Sequence, residues 1–181
     1  NGRYVYAVNH RKIREKAILL ESKNAKDLAG NIYRLLEVVT GEGFEAFEVF
    51  LSVRKDRMKQ IKHLIKQKGI KGCTLVPYES RRYYRLLATV KYLVEDTSFP
   101  ARFIKRKEQV YLNTWHGTPL KHMGRDEEAG AYAIGNIQKN LLCADYLLYP
   151  NRYMKDVMFS AYMLEDLYRG TVIYEGYPRN G

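Results

Sequence analysis

The apolar positions of the chain fall into short runs and helix-spaced sets that take turns along its length. Ala17 to Leu20 is a short apolar run entering a first core strand. Leu28, Ile32, Leu35, Leu36 and Val39 follow at helical spacing, with Asp27 placed to cap them and a stop near Gly41. Phe44 to Val53 is rich in strand formers, and Arg54 to Lys68 then carries Met58, Ile61, Leu64 and Ile65 on one helical face before ending at Gly69. Thr74 to Tyr78 reads as a strand, Ser80 as the cap of a helix with Tyr83, Leu87 and Val90 on its core side, and Tyr92 to Val94 as a fourth strand. The order continues with a strand from Gln109 to Trp115, a helix from about Ala131 to Leu142, a strand from Tyr146 to Tyr149, a helix from Asn151 to Leu164 and a strand from Thr171 to Tyr174.

Strands alternating with helices predict right-handed crossover units and an α/β, Rossmann-like parallel sheet with helices on both faces. The 181 residues suit one such domain. Residues 1–16 are basic and weakly patterned and read as a linker or lead-in strand, leaving 17–181 as the domain. The chain opens on Asn1 and stops at Gly181 straight after a strand-like run, which suggests a segment of a longer polypeptide.

Charge and chemistry then narrow the picture. A formal net charge of +11 points to an anionic partner such as nucleic acid, a phosphate polymer or a membrane surface. Lys59, Lys62, His63 and Lys66 share the polar face of one predicted helix, a candidate for anionic headgroups. Cys73 and Cys143 are far apart and flanked by apolar residues, which disfavours a disulfide framework. No apolar run approaches the roughly 18 residues that span a bilayer, and the four histidines lack metal-ligand spacing. No Walker or dinucleotide fingerprint occurs.

The stretch YLNTWHGTPLKHMG, Tyr111 to Gly124, stands out. It holds the single tryptophan of the chain and places His116 at the carboxyl end of a predicted buried strand, where ligands bind in open parallel sheets. Gly117 lets a ligand approach the backbone, and a following helix would offer its amides to an anion. The spacing leaves open a general base, a phosphate contact or a residue that merely closes the turn. Asp96, Thr97 and Ser98 begin the DTSFP run after another predicted strand; they can line the same crevice or form a turn bounded by Pro100.

The run NTWHGTPLK, Asn113 to Lys121, resembles the signature of the CDP-glycerol glycerophosphotransferase family, the teichoic acid polymerases and primases of Gram-positive bacteria. ILLES at 18–22, GNIYRLL at 30–36, KYLVEDTSFP at 91–100, ADYLLYPN at 144–151 and GYPRN at 176–180 agree in order. The resemblance implies one half of a GT-B fold, the acceptor-side domain, with the CDP-alcohol domain outside this chain. It also implies the reaction: a hydroxyl of a growing polyol phosphate attacks the β-phosphate of CDP-glycerol and CMP leaves, with no cofactor. His116 matches the proposed base of the family's HGTP motif, and Asn113, Trp115, Gly117, Thr118, Pro119, Lys121 and Arg179 fall on its substrate-binding motifs. Asp96 is a candidate to orient the histidine. The resemblance further implies a lipid-linked acceptor and a peripheral place on the cytoplasmic face of the membrane, in preference to nucleic acid. Two other readings remain: a GT-B glycosyltransferase using a nucleotide sugar, and a non-catalytic basic module that binds polyanions. The chain without its donor half is expected to be inactive.

Overall fold

The computed structural model describes residues 2–117 and 131–180. Seven strands form one all-parallel sheet: β1 (Arg14–Glu21), β2 (Glu48–Val53), β3 (Cys73–Pro77), β4 (Val90–Glu95), β5 (Val110–Asn113), β6 (Tyr146–Leu148) and β7 (Thr171–Ile173), in spatial order β3-β2-β1-β4-β5-β6-β7. The strand order reverses between β1 and β4, which are paired from Ile18 opposite Tyr92 to Glu21 opposite Glu95. A crevice opens outside the carboxyl ends of the strands at such a reversal.

Side-chain alternation along β1 divides the core. Ile18 and Leu20 point to one side, where they meet Ile32 and Leu36 of α2 (Gly30–Val39) and Ile61 of α3 (Met58–Gln67). Ala17 and Leu19 point to the other, toward α1 (Gly2–His10), α4 (Arg81–Thr89), α5 (Ala131–Cys143) and α6 (Arg152–Ala161). A strand buried on both faces must be apolar throughout, which is why 17–20 reads as an unbroken run. Ser80 Oγ accepts from Tyr83 N and Asn151 Oδ1 from Met154 N, capping α4 and α6.

The structure corrects several sequence expectations. The lead-in is not a linker: Tyr4 and Ala7, at helical spacing, are buried and pack α1 against α4, and β1 already starts at Arg14. Asp27 does not cap α2. Its Oδ1 accepts from the adjacent Leu28 N and its Oδ2 pairs with Lys23, while the helix starts at Gly30 behind Ala29. Phe44 and Phe47 precede β2 in a turn, with Phe47 reaching the Tyr92 ring. Residues 55–57 form a 3-10 turn before α3, and Val90 opens β4 instead of closing α4. Strand β5 is shorter than the apolar run that signals it, because Gln109 turns its amide onto the carbonyls of Leu87 and Val90.

Candidate active site

Three chain segments meet at the crevice, each leaving the carboxyl end of a central strand. After β1, Lys23, Asn24 and Ala25 adopt left-handed backbone, with φ of 48°, 53° and 61°. Such conformations cost about 1–2 kcal/mol per non-glycine residue and persist where the surroundings enforce them. Here the segment after β4 does so. Asp96 accepts from Ser22 Oγ at 3.0 Å and from Lys23 N at 2.7 Å, and Thr97 accepts from Asn24 N at 3.3 Å while donating to Asn24 Oδ1 at 3.0 Å. Arg54 N adds a bond to Ala25 O at 2.8 Å.

The third segment carries the histidine. Asn113, the last residue of β5, donates through Nδ2 to Glu95 Oε1 at 2.7 Å and to Thr97 O at 3.1 Å, and its Oδ1 accepts from Trp115 N at 2.9 Å. This bond closes a turn in which Trp115 takes φ of 51°. The indole is buried, edge-on to Tyr162, and its Nε1 has no hydrogen-bond partner among the described residues. One indole face is stacked against the His116 ring, centroids 4.5 Å apart and planes 21° apart. The histidine is thus held by its neighbour while remaining exposed at the rim of the crevice.

Asn31, in the first turn of α2, ties the rim together. Its Nδ2 donates to Trp115 O at 3.2 Å and its Oδ1 accepts from Arg179 N at 3.4 Å. Arg179 belongs to a 3-10 turn over Pro178–Asn180, lies over the Tyr177 ring and donates through Nη1 to His116 O at 3.2 Å. Shielding of the His116 ring, and then the positive charges of Lys23 and Arg179, hold its pKa below the ordinary 6.5. The ring is therefore neutral at pH 7 and able to accept a proton. The two cations that disfavour imidazolium lie near the ring, Lys23 paired with Asp27 and Arg179 bonded to His116 O.

Beneath this rim lies a floor of buried carboxyl groups. Glu21 and Glu95 are fully buried and side by side in register, with Asp96 next along the chain. Burial, opposed in part by bonds from Ser52 and Tyr83, raises Glu21 to about 7. Burial raises Asp96 to about 6 and Glu95 well above the carboxylate range. Glu95 accepts from Tyr111 Oη at 2.6 Å and from Thr97 N at 2.6 Å, so it organises the ends of β4 and β5 together.

The sequence-predicted residues Asn113, Trp115, His116, Gly117, Asp96, Thr97 and Arg179 thus converge, though not in every expected role. Asp96 does not orient His116; its two oxygens serve the strained β1–α2 loop. The Thr97 hydroxyl is taken up by Asn24 and Glu95, while Ser98 Oγ accepts a long bond from Asn136 Nδ2 at 3.5 Å. Thr118, Pro119 and Lys121, and the surface placement expected for His122, lie outside the described residues. Sequence reasoning missed Lys23, Asn31 and Glu95, and also Asn140, whose amide pegs Phe99 N and O. GNIYRLL already contains Asn31 and KYLVEDTSFP contains Glu95, so the motifs held the signal; what they lacked was the pairing.

Comparison with known proteins decides the family. The sequence profile of the CDP-glycerol:poly(glycerophosphate) glycerophosphotransferases matches residues 4–181. The chain belongs to this family. It is 29% identical over 178 residues to a teichoic acid poly(glycerol phosphate) polymerase of Bacillus subtilis (strain 168), covering 93% of this chain and 22% of that protein. A polymerase of the same description from Bacillus spizizenii is 29% identical over 92% of this chain and 41% of its own length. A teichoic acid glycerol-phosphate transferase of Staphylococcus aureus is 28% identical over 90% of this chain and 41% of its own. Among solved structures, the wall teichoic acid polymerase TagF superposes with a TM-score of 0.76 at 22% identity, covering 99% of this chain and 44% of the TagF chain. A TagF structure with CDPG gives 0.78 at 23% identity, covering 98% and 42%. The chain therefore spans less than half the length of these relatives, as one Rossmann-like half of a GT-B fold does. Among the described residues, no helix is long and apolar enough to cross a membrane.

Proposed function

We propose that this chain is the acceptor-side half of an enzyme that moves glycerol phosphate from CDP-glycerol to a hydroxyl at the end of a teichoic-acid-like polymer, releasing CMP. The observation that carries the reading is the presentation of His116, stacked on Trp115 at the strand-order reversal and kept neutral by its surroundings. In this reading the His116 ring takes the proton of the attacking hydroxyl. The oxygen adds to the β-phosphorus of the donor, the bond to the bridging oxygen breaks, and CMP departs with the electron pair. Such transfers depend on positioning and on positive charge around the phosphoryl oxygens, which Lys23 and Arg179 supply from this side. The donor would be held by a second half, and no cofactor takes part. A lipid-linked acceptor and a peripheral place at the cytoplasmic membrane face fit the exposed Lys59, Lys62 and Lys66 of α3, which can meet anionic headgroups.

The test uses the full-length protein with CDP-glycerol and a glycerol-phosphate primer. His116→Ala should lower CMP release by at least about a hundredfold, in line with loss of a general base, while the circular dichroism spectrum is retained. Undiminished turnover would remove the base role. Consumption of a nucleotide sugar in place of CDP-glycerol would transfer the chain to the glycosyltransferase reading.

A further inference from the structure

Away from the crevice, α1 and α4 enclose a groove of about 780 Å³, within the span of small-ligand sites. Its chemistry is unusual for a solvated surface. Arg3 and Arg11 lie eight residues apart on one stripe of α1 and its continuation, and Arg81 and Arg85 lie four apart on α4, so both pairs face the groove. Between them Tyr4 and Tyr84 meet at 5.6 Å, and Arg102 closes one side over the Tyr84 ring at 5.1 Å. Glu79 is the one carboxylate of the lining among the described residues, and it is already bonded to the Tyr84 hydroxyl at 3.1 Å.

Among the described residues Arg3, Arg11, Arg81 and Arg85 have no carboxylate within ion-pair distance, as is true of several other arginines; what distinguishes these four is that one groove gathers them. Bringing like charges to one aromatic-floored groove costs free energy unless an anion joins them. Guanidinium groups bind phosphate oxygens in pairs, and tyrosine rings can cover the C–H edges of a polyol. We propose that this groove binds the phosphodiester groups of the polyol phosphate acceptor, along its length and away from its reacting end. The inference rests on the function proposed above. The groove is well placed for this, since Tyr83, on the opposite side of α4, donates to Glu21 at the crevice floor at 2.8 Å and a single helix separates the two places.

The experiment measures binding of a short poly(glycerol phosphate) oligomer to the full-length protein by titration calorimetry at about 0.1 M salt, where the Debye length is about 10 Å. Arg81→Glu/Arg85→Glu should weaken binding by at least about tenfold, the equivalent of one strong charge-assisted bond, and Arg81→Gln/Arg85→Gln by somewhat less. Glu79→Gln should tighten it. Lys68→Glu/Lys71→Glu at the carboxyl end of α3 makes the same change of charge and should alter it less than about threefold, since exposed charges beyond the Debye length are screened. Equal losses from the α3 and α4 variants would overturn the groove in favour of general attraction. Vesicles containing phosphatidylglycerol form a second arm: loss of vesicle binding in the α4 variants with oligomer binding intact would assign the phosphate to a lipid headgroup and sink the polymer assignment. CMP release by the unaltered protein is read alongside. Its absence counts against the proposed reaction, whereas normal CMP release with oligomer affinity and acceptor KM unchanged in the α4 variants counts against the groove alone.

Discussion

Glu21→Gln probes the buried acid floor. Glu21 is fully buried, with Ser52 Oγ at 2.6 Å and Tyr83 Oη at 2.8 Å both donating to Oε2, while Oε1 has no partner among the described residues. Its pKa rises from the ordinary 4.5 to about 7, chiefly through burial. Between those values the folded protein keeps a proton that the unfolded chain has released, so the unfolded state binds fewer protons and stability falls as pH rises. At about 1.4 kcal/mol per pH unit, Glu21 alone removes on the order of 3 kcal/mol between pH 4.5 and 7. Asp96, raised from 3.8 to about 6, acts with the same sign over a lower window. Glutamine keeps the shape of the protonated acid and cannot ionise. Urea unfolding at pH 4.5, 6, 7 and 8 should show the variant equal to or less stable than the parent at the acid end. It should then gain on the parent by about 3 kcal/mol by pH 8. A stability difference that stays constant across this range, or a parent that grows more stable from pH 5 to 8, would refute the assignment.

Three further outcomes are expected. The proposed base role requires a neutral His116, whose pKa is lowered, so kcat/KM of the full-length protein should fall on the acid side with an inflection below pH 6.5; Lys23→Ala or Arg179→Ala should move that inflection upward, as a pH-rate series would show. Asn31→Ala removes a buried amide that joins Trp115 O to Arg179 N, and should cost about 1–3 kcal/mol in urea unfolding while lowering turnover. Ser80→Ala and Asn151→Ala each delete a helix cap and should each cost about 1 kcal/mol, adding independently in the double variant.

What the sequence discloses depends on how local the physics is. The sheet was legible because parallel strands buried on both faces must be continuous apolar runs, and the cap at Ser80 because capping is settled within four residues. His116 was legible because its position at a strand end followed from the run before it. Helix α1 was hidden: only Tyr4 and Ala7 are buried, and the run Tyr4 to Val8 is rich in aromatic and β-branched residues, which favour strand over helix. The partners Ser22 with Asp96 and Asn24 with Thr97 are 74 and 73 residues apart. They meet through the β1–β4 pairing, which no local window contains. The left-handed turn at Lys23 to Ala25 lacked a glycine to mark it, since tertiary bonds hold it in place of intrinsic preference.

That turn also dictates an order of assembly. A nascent chain that has emitted only β1, α2 and β2 has no Asp96 or Thr97 to grip the loop, and without them three consecutive non-glycine residues relax out of the left-handed basin. The crevice therefore cannot be pre-shaped by the amino-terminal half and repaired later. It snaps into form when β4 docks beside β1, and the same docking brings Glu95 under Asn113 once β5 follows. The shape of the crevice and the pairing of β4 with β1 are thus coupled, so a lesion at Asp96 or Thr97 that spares the sheet will loosen the Lys23 to Ala25 turn first.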